Sequence, residues 1–239
     1  MKFDHLSSSQ INKWIDDPSL WILDKIYGVE SGRMPAAWRG NAVEKALDAM
    51  FTGEFDRDSL IGISYSDFAE RGGLRTDREW NAIPGYIDQL IPFIKDCGWG
   101  APDGCQTRLE TEIEGVRVIG YMDYEWGGVV RDCKTTGRMP SFSRETGLLR
   151  GKDDHLRQMS IYTHNSNRNA ELFYVTPKAV RTYQPSQDEL STAFRHVRAA
   201  VRAMKEYEVQ DWWRYVPRDM TFYKWDDHLR EKAKELWKL

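Results

Sequence analysis

The chain has 239 residues, 41% of them hydrophobic and 30% charged, which supplies apolar surface for a sizeable core and excludes the disordered class, where low hydrophobicity meets high net charge. Lys and Arg total 34 against 37 Asp and Glu, a formal charge of −3, which excludes a protein that coats nucleic acid with its whole surface and leaves a local basic cleft open. No apolar run approaches the ~20 residues that cross a bilayer, residues 1–5 lack the apolar stretch of a secretory signal, and three cysteines (Cys97, Cys105, Cys133) are too few for a four-cysteine cluster, so the expectation is a cytoplasmic protein with no membrane segment and no disulfide scaffold.

With no repeat, low-complexity tract or long linker, residues 1–239 read as one domain, with helical N-terminal and C-terminal elaborations around a β-rich middle. Residues 6–15 offer a serine N-cap and then Ile11, Trp14 and Ile15 at helical spacing. Further helices are predicted over residues 36–50, where Ala42, Val43, Ala46 and Leu47 share one side, and over 79–96, which Gly98 and Gly100 end. From Gln106 the period drops to two. Leu109, Thr111 and Ile113 alternate with Arg108, Glu110 and Glu112; Glu114-Gly115 turns the chain into a strand over 116–124, and Gly127-Gly128 into another over 129–135. A helix over 154–164 then leads to a strand at 170–176, which a helical crossover sets parallel to the earlier one. Helices over 187–208 and 226–239 follow. The expected fold class is α/β: a central mixed sheet, an antiparallel meander plus a parallel strand, flanked by helices.

The chemistry is concentrated in the middle. Asp123 ends one strand, within Gly120-Tyr121-Met122-Asp123, and Asp132-Cys133-Lys134 lies on the next. Strand alternation points Asp132 and Lys134 to one face and Cys133 to the other, and Asp123 can join the first two across the pair. Two carboxylates beside an ammonium suit a hard divalent cation such as Mg²⁺, which prefers oxygen ligands. The lysine can orient or help deprotonate an attacking water, and the cation stabilises charge that builds on a phosphodiester. A bare Asp-X-Lys triplet is more often a salt-bridged surface hairpin. Three features weigh against that here. Glu44 adds a third acid on a helix whose opposite side is apolar. Gln158 and Tyr162, four apart, project from one face of the following helix. Residues 131–157 hold seven basic side chains (Arg131, Lys134, Arg138, Arg144, Arg150, Lys152, Arg157) against four acids (Asp132, Glu145, Asp153, Asp154), a local net of +3.

In this order the residues resemble the PD-(D/E)XK nuclease superfamily, and within it the RecB-like and lambda-exonuclease-like branch. Leu6-Ser7-Ser8-Ser9-Gln10 followed by Trp14 looks like that branch's first helix, and Gly40-Asn41-Ala42-Val43-Glu44 like its next motif. Gly120-Tyr121-Met122-Asp123 looks like the second carboxylate motif, Asp132-Cys133-Lys134-Thr135 like Asp-X-Lys-Thr, and Gln158-Met159-Ser160-Ile161-Tyr162 like Gln-X-X-X-Tyr. The resemblance covers most of the chain and implies a restriction-endonuclease-like core, Mg²⁺ or Mn²⁺ as cofactor, and DNA as substrate. It makes Asp123, Asp132 and the Cys133 backbone carbonyl metal ligands and Lys134 the catalytic lysine. Gln158 would steady the metal-bound water or the scissile phosphate, and Tyr162 would lie near the DNA strand. Many RecB-like members carry histidine where this chain has Glu44, which remains an oxygen ligand suited to Mg²⁺ or Mn²⁺. The CRISPR-associated relatives, with their four-cysteine iron–sulfur cluster, are disfavoured.

Arg39 and Trp38 are candidate contacts to a single strand, with core packing as the competing reading of Trp38. Arg138 and Arg150 are candidate DNA-backbone contacts on the basic segment. Glu110 could extend the acidic site, although charge on one strand face is usually solvated. The Cys133 thiol reads as core, Ser7 to Ser9 as an N-cap, and Trp212, Trp213, Tyr215, Phe222, Tyr223 and Trp225 as packing for a terminal segment. The expected function is a metal-dependent DNA exonuclease acting on linear ends, in end processing, recombination, repair or phage DNA metabolism. A structure- or site-specific endonuclease on the same core, or a non-catalytic DNA-binding accessory protein, is the alternative. Homo-oligomerisation and a recombination or replication partner protein stay open.

Overall fold

Strand alternation and two glycine-bearing turns build the centre of the molecule. In the computed structural model, β1 (Gly104–Ile113), β2 (Val116–Trp126), β3 (Val129–Thr135), β4 (Asn169–Thr176) and β5 (Ala179–Tyr183) form one mixed sheet in the order β1-β2-β3-β4-β5. β3 and β4 pair in parallel and the other neighbours are antiparallel. Gly127 and Gly128 both take positive φ in the β2–β3 turn, a conformation glycine adopts without steric cost. The structure describes residues 4–29, 34–53, 56–142, 149–164, 166, 168–221 and 225–238, with the backbone alone at 212 and 214. Arg144, Glu145, Phe222 and Tyr223 lie outside the described residues, as does the side chain of Trp212.

β4 is buried along almost its whole length because helices cover both faces of the sheet. On one face lie α1 (Ser8–Asp16), α6 (Asp153–Thr163) and α7 (Gln187–Gln210), whose Ile11, Trp14, Met159, Val197 and Val201 pack with Val118, Val130 and Leu172. On the other lie α3 (Pro35–Thr52), α4 (Arg57–Glu70) and α5 (Arg78–Cys97), whose Val43, Leu47, Phe68 and Ile87 pack with Cys133, Phe173 and Val175. A smaller core joins α2 (Pro18–Lys25) to α8 (Asp227–Trp237) through Leu20, Leu23, Trp225, Leu229 and Trp237. α2, α4 and β5 are elements that the sequence pattern leaves unassigned.

The start of the chain behaves as its residues suggest: Ser7 caps α1 in a capping box with Gln10, so two backbone amides that the helix cannot bond internally find side-chain partners. Trp213 and Trp225 are buried packing residues, whereas Tyr215 is exposed.

The feature that positions the site is a fork. β2 and β3 pair only at Tyr124↔Arg131, Glu125↔Val130 and Trp126↔Val129, next to the turn, and the ladder stops before Asp123 and Asp132. Farther along, at residues 117–119, the edge of β2 that β3 has left is taken by Leu6: its N–H donates to the Arg117 carbonyl and its own carbonyl accepts from the Ile119 N–H.

Candidate active site

Where the ladder stops, four side chains lock together. Lys134 Nζ lies 2.6 Å from Asp132 Oδ2 and donates to Gln158 Oε1 at 2.9 Å. The Gln158 amide nitrogen donates to the Tyr162 hydroxyl at 2.9 Å and to Asp132 Oδ1 at 3.3 Å. An amide has one accepting and one donating end, and here both ends are assigned by their partners, so Gln158 has a single orientation. Strand spacing puts Asp132 and Lys134 on one face, and helical spacing puts Gln158 and Tyr162 on one face; α6 packs the second pair onto the first.

Two close approaches explain the glycines of the quoted motifs. A Cβ on Gly120 would stand 2.7 Å from Cε1 of Tyr162, closer than carbon atoms can pack, so the ring rests directly on the strand. A Cβ on Gly40 would stand 3.1 Å from the Thr135 hydroxyl oxygen. Bare backbone at Gly40 therefore lets α3 settle on β3, and Glu44, one turn on, comes with it.

Glu44, Asp123 and Asp132 face one another in a setting largely closed to water. Burial, and after it the charge of Asp132, pushes the Glu44 carboxyl up to about 7. The same two causes in the same order raise Asp123 well above the usual carboxylate range. Burial pulls the Lys134 ammonium down, but the charges of Asp132 and Asp123 outweigh it and hold the group firmly protonated. In this metal-free arrangement Lys134 donates hydrogen bonds and charge to its neighbours.

Once ionised, the three carboxylates outnumber the ammonium among them, and every side-chain donor atom of the acids is oxygen. That set fits a hard divalent cation and does not suit a soft one. Among the described residues no three His, Cys, Asp or Glu side chains already stand at metal-ligating spacing. The amide of Gln106 occupies the space between two of the acids, with Nε2 2.7 Å from Glu44 Oε1 and 3.4 Å from Asp123 Oδ1. Cys133 lies between the reactive pair with its thiol buried in the opposite core, and burial raises the thiol's pKa well above its usual range, so it is inert.

Other sequence-marked residues are placed elsewhere. Tyr162 is 2% exposed, so it supports Gln158 and does not face an open groove. Arg39 is buried with its guanidinium 4.9 Å from the Tyr86 ring centre, away from the solvent surface that a DNA backbone contact needs. Trp38 is half-buried beside Phe68, which favours its packing role. Glu110 pairs with Arg108 and Arg117 on the surface and does not join the acids.

The basic segment does not form one track. Arg131 is held between Trp99 and Trp126 and paired with Glu171. Arg157 is buried, tying α6 to α1 through Asn12 and Asp16. Arg150 is exposed but lines a groove with Asp153, Asp188 and Glu189, separate from the reactive cleft. Arg138 and Lys152 are exposed.

The reactive cleft encloses about 800 Å³ between α1, the start of α3 and α6, and Lys134, His155 and Gln158 reach into it. His155 escaped the sequence reading, although its place three residues before Gln158 puts it on the same helix face. Tyr174 is fully buried, and its hydroxyl accepts the Lys152 N–H and shares a hydrogen bond of 3.0 Å with His155 Nδ1. Burial, reinforced by the charge of Lys134, lowers this histidine to about 4.

No family model matches the sequence, and no curated protein matches it. The fold has solved counterparts. A crystal structure of a proposed exonuclease from Eubacterium rectale superimposes with a TM-score of 0.64 over 95% of this chain and 88% of its own, at 14% sequence identity. At that identity the likeness is one of fold: an α/β architecture in which a mixed five-stranded sheet is flanked by helices.

Proposed function

We propose that this protein is a metal-dependent deoxyribonuclease that hydrolyses phosphodiester bonds from DNA ends, with Mg²⁺ or Mn²⁺ as cofactor. The observation that carries this reading is the closed arrangement of Asp132, Lys134 and Gln158 beside Asp123 and Glu44: an excess of buried carboxylate with one fixed ammonium at the mouth of a cleft. The neighbour of shared fold, itself a proposed exonuclease, points the same way. Glu44, Asp123 and Asp132 would hold the cation, which supplies an activated water and charge neutralisation when bound. Lys134 donates to the phosphate oxygens, where negative charge grows in the transition state. It needs no reorganisation to do so, because Asp132 and Gln158 fix it beforehand. Gln158 orients both the lysine and Asp132, and Tyr162 fixes Gln158.

The preference for ends over internal sites rests on the Gln-X-X-X-Tyr resemblance and on the absence of a base-reading module among the described residues. The test is incubation of the purified protein with end-labelled linear DNA and with covalently closed circular DNA, in Mg²⁺, in Mn²⁺ and in EDTA. Release of end label with the circle intact supports the reading. Nicking or linearisation of the circle replaces the exonuclease with an endonuclease on the same core. Cleavage at full rate in EDTA overturns the metal dependence, and no cleavage under any condition overturns catalysis and leaves a DNA-binding accessory role.

A further inference from the structure

One residue at the site is placed there by backbone geometry that nothing in its neighbourhood of sequence requires. Gln106 has φ +49, in the left-handed region that residues with a side chain enter only at a cost of roughly 1–3 kcal/mol. It lies inside β1, not in a turn. The flanking residues pair normally with β2, Cys105↔Tyr124 and Thr107↔Met122, and the skipped position is the one directly opposite Asp123. A strained conformation maintained in mid-strand calls for a compensating contact, and the contact is specific: the Gln106 amide lies between Glu44 and Asp123 and donates to both. These acids come from elements far apart in sequence, α3 and β2, and Gln106 is the side chain that links them.

We propose that Gln106 is a positioning residue of the cation site, holding Glu44 against Asp123 when no cation is bound and yielding the space between the two acids, with its amide oxygen turned toward it, when one is. An amide is suited to both states because it carries a donor for carboxylates and an acceptor for a hard cation on one planar group. The left-handed backbone aims it: a residue with ordinary strand φ at this position would send its side chain along the normal alternation of β1. The inference rests on the proposed cation site and extends it by one residue that no motif contains.

The test measures Mn²⁺ binding by calorimetry, together with thermal unfolding in EDTA, on the full chain. In Gln106→Gly the amide is lost while the left-handed backbone becomes favourable. Mn²⁺ affinity is expected to fall about tenfold, in the range that follows loss of a group supporting metal ligands, while metal-free thermal stability stays the same or rises. Gln106→Glu, which restores an oxygen at the same reach, is expected to bind at least as tightly as the parent. Unchanged affinity in Gln106→Gly overturns the inference, as does loss of affinity that parallels loss of folding. Asp123→Asn provides the separate control: if Mn²⁺ binds the parent and Asp123→Asn equally well, the cation site itself is elsewhere, and it is the proposed function that fails.

Discussion

Asp17, buried at the start of α2, and Asp123, half-buried on β2, are carboxylates drawn into the interior, and their surroundings differ. Asp17 is 5% exposed; it caps α2 by accepting the Leu20 N–H at 3.0 Å and accepts the Trp225 indole N–H at 2.5 Å. Burial raises both groups above the ordinary carboxylate range. The next influences differ in sign. At Asp17 they are hydrogen bonds from neutral donors, which pull it back; at Asp123 the next is the charge of Asp132, which pushes further. Burial of an acid therefore does not mark a reactive site. What sets Asp123 apart is a second carboxylate beside it, which penalises the charge that neutral donors relieve at Asp17.

Substitutions separate the two kinds of carboxylate. The largest effect is expected at Lys134, the counter-charge paired directly with Asp132: Lys134→Ala should lower kcat by about 10³-fold or more, with DNA and Mn²⁺ binding largely kept, because the ammonium acts on charge that appears in the transition state. Single-turnover cleavage and filter binding on the same preparation read the two quantities, and an unchanged rate would reduce the lysine to an ion-pair partner. At Asp17 the loss should appear in folding instead. Asp17→Ala removes a helix cap and leaves the Trp225 N–H buried without its acceptor, a cost of about 2–3 kcal/mol in denaturant unfolding, with cleavage per folded molecule unaltered. Reduced cleavage at full stability would erase the contrast.

Gln158→Ala comes next, at about 10–100-fold in cleavage, since it frees Lys134 and Asp132 from a common anchor without opening a large cavity. The smallest effect is a gain. Glu44 carries a folded-state pKa of about 7, raised above its unfolded value, so the unfolded chain loses its proton first and metal-free stability falls as pH climbs from about 4.5 to about 7, then levels off. Glu44→Gln should remove that decline, raising stability in EDTA at pH 8 by about 1–2 kcal/mol and not at all at pH 4. Thermal unfolding across pH checks it; equal stability of Glu44→Gln and the parent at pH 8 would overturn the expectation.

The strands of the meander and the parallel crossover were legible because Leu109, Thr111 and Ile113 alternate, the glycine pairs punctuate, and 170–176 is β-branched and aromatic. α4 was not, since its buried Leu60, Ile61, Ser64 and Phe68 give no clean apolar stripe. α2 is two turns long and signalled only by Asp17-Pro18, and β5 is a five-residue, half-exposed edge. At the site, spacings of two and four suffice to bring Asp132 to Lys134 and Gln158 to Tyr162. Gln106 could not be read, because a left-handed residue inside a strand leaves no trace in residue type. The basic segment misled for a related reason: Arg131 and Arg157 are adjacent to the others along the chain but are consumed by internal partners, and charge per segment is not charge per surface.

The pairing of Leu6 with residues 117–119 sets an order of events. During synthesis the first helix leaves the ribosome more than a hundred residues before the strand edge that receives it exists, and the long loop this closes is entropically slow to form. α1 also forms a wall of the reactive cleft. A nascent chain can thus complete its meander, and even bring Asp123 near Asp132, before α6, Trp225 and Asp226 exist to line the cleft; the finished site joins residues made far apart in time.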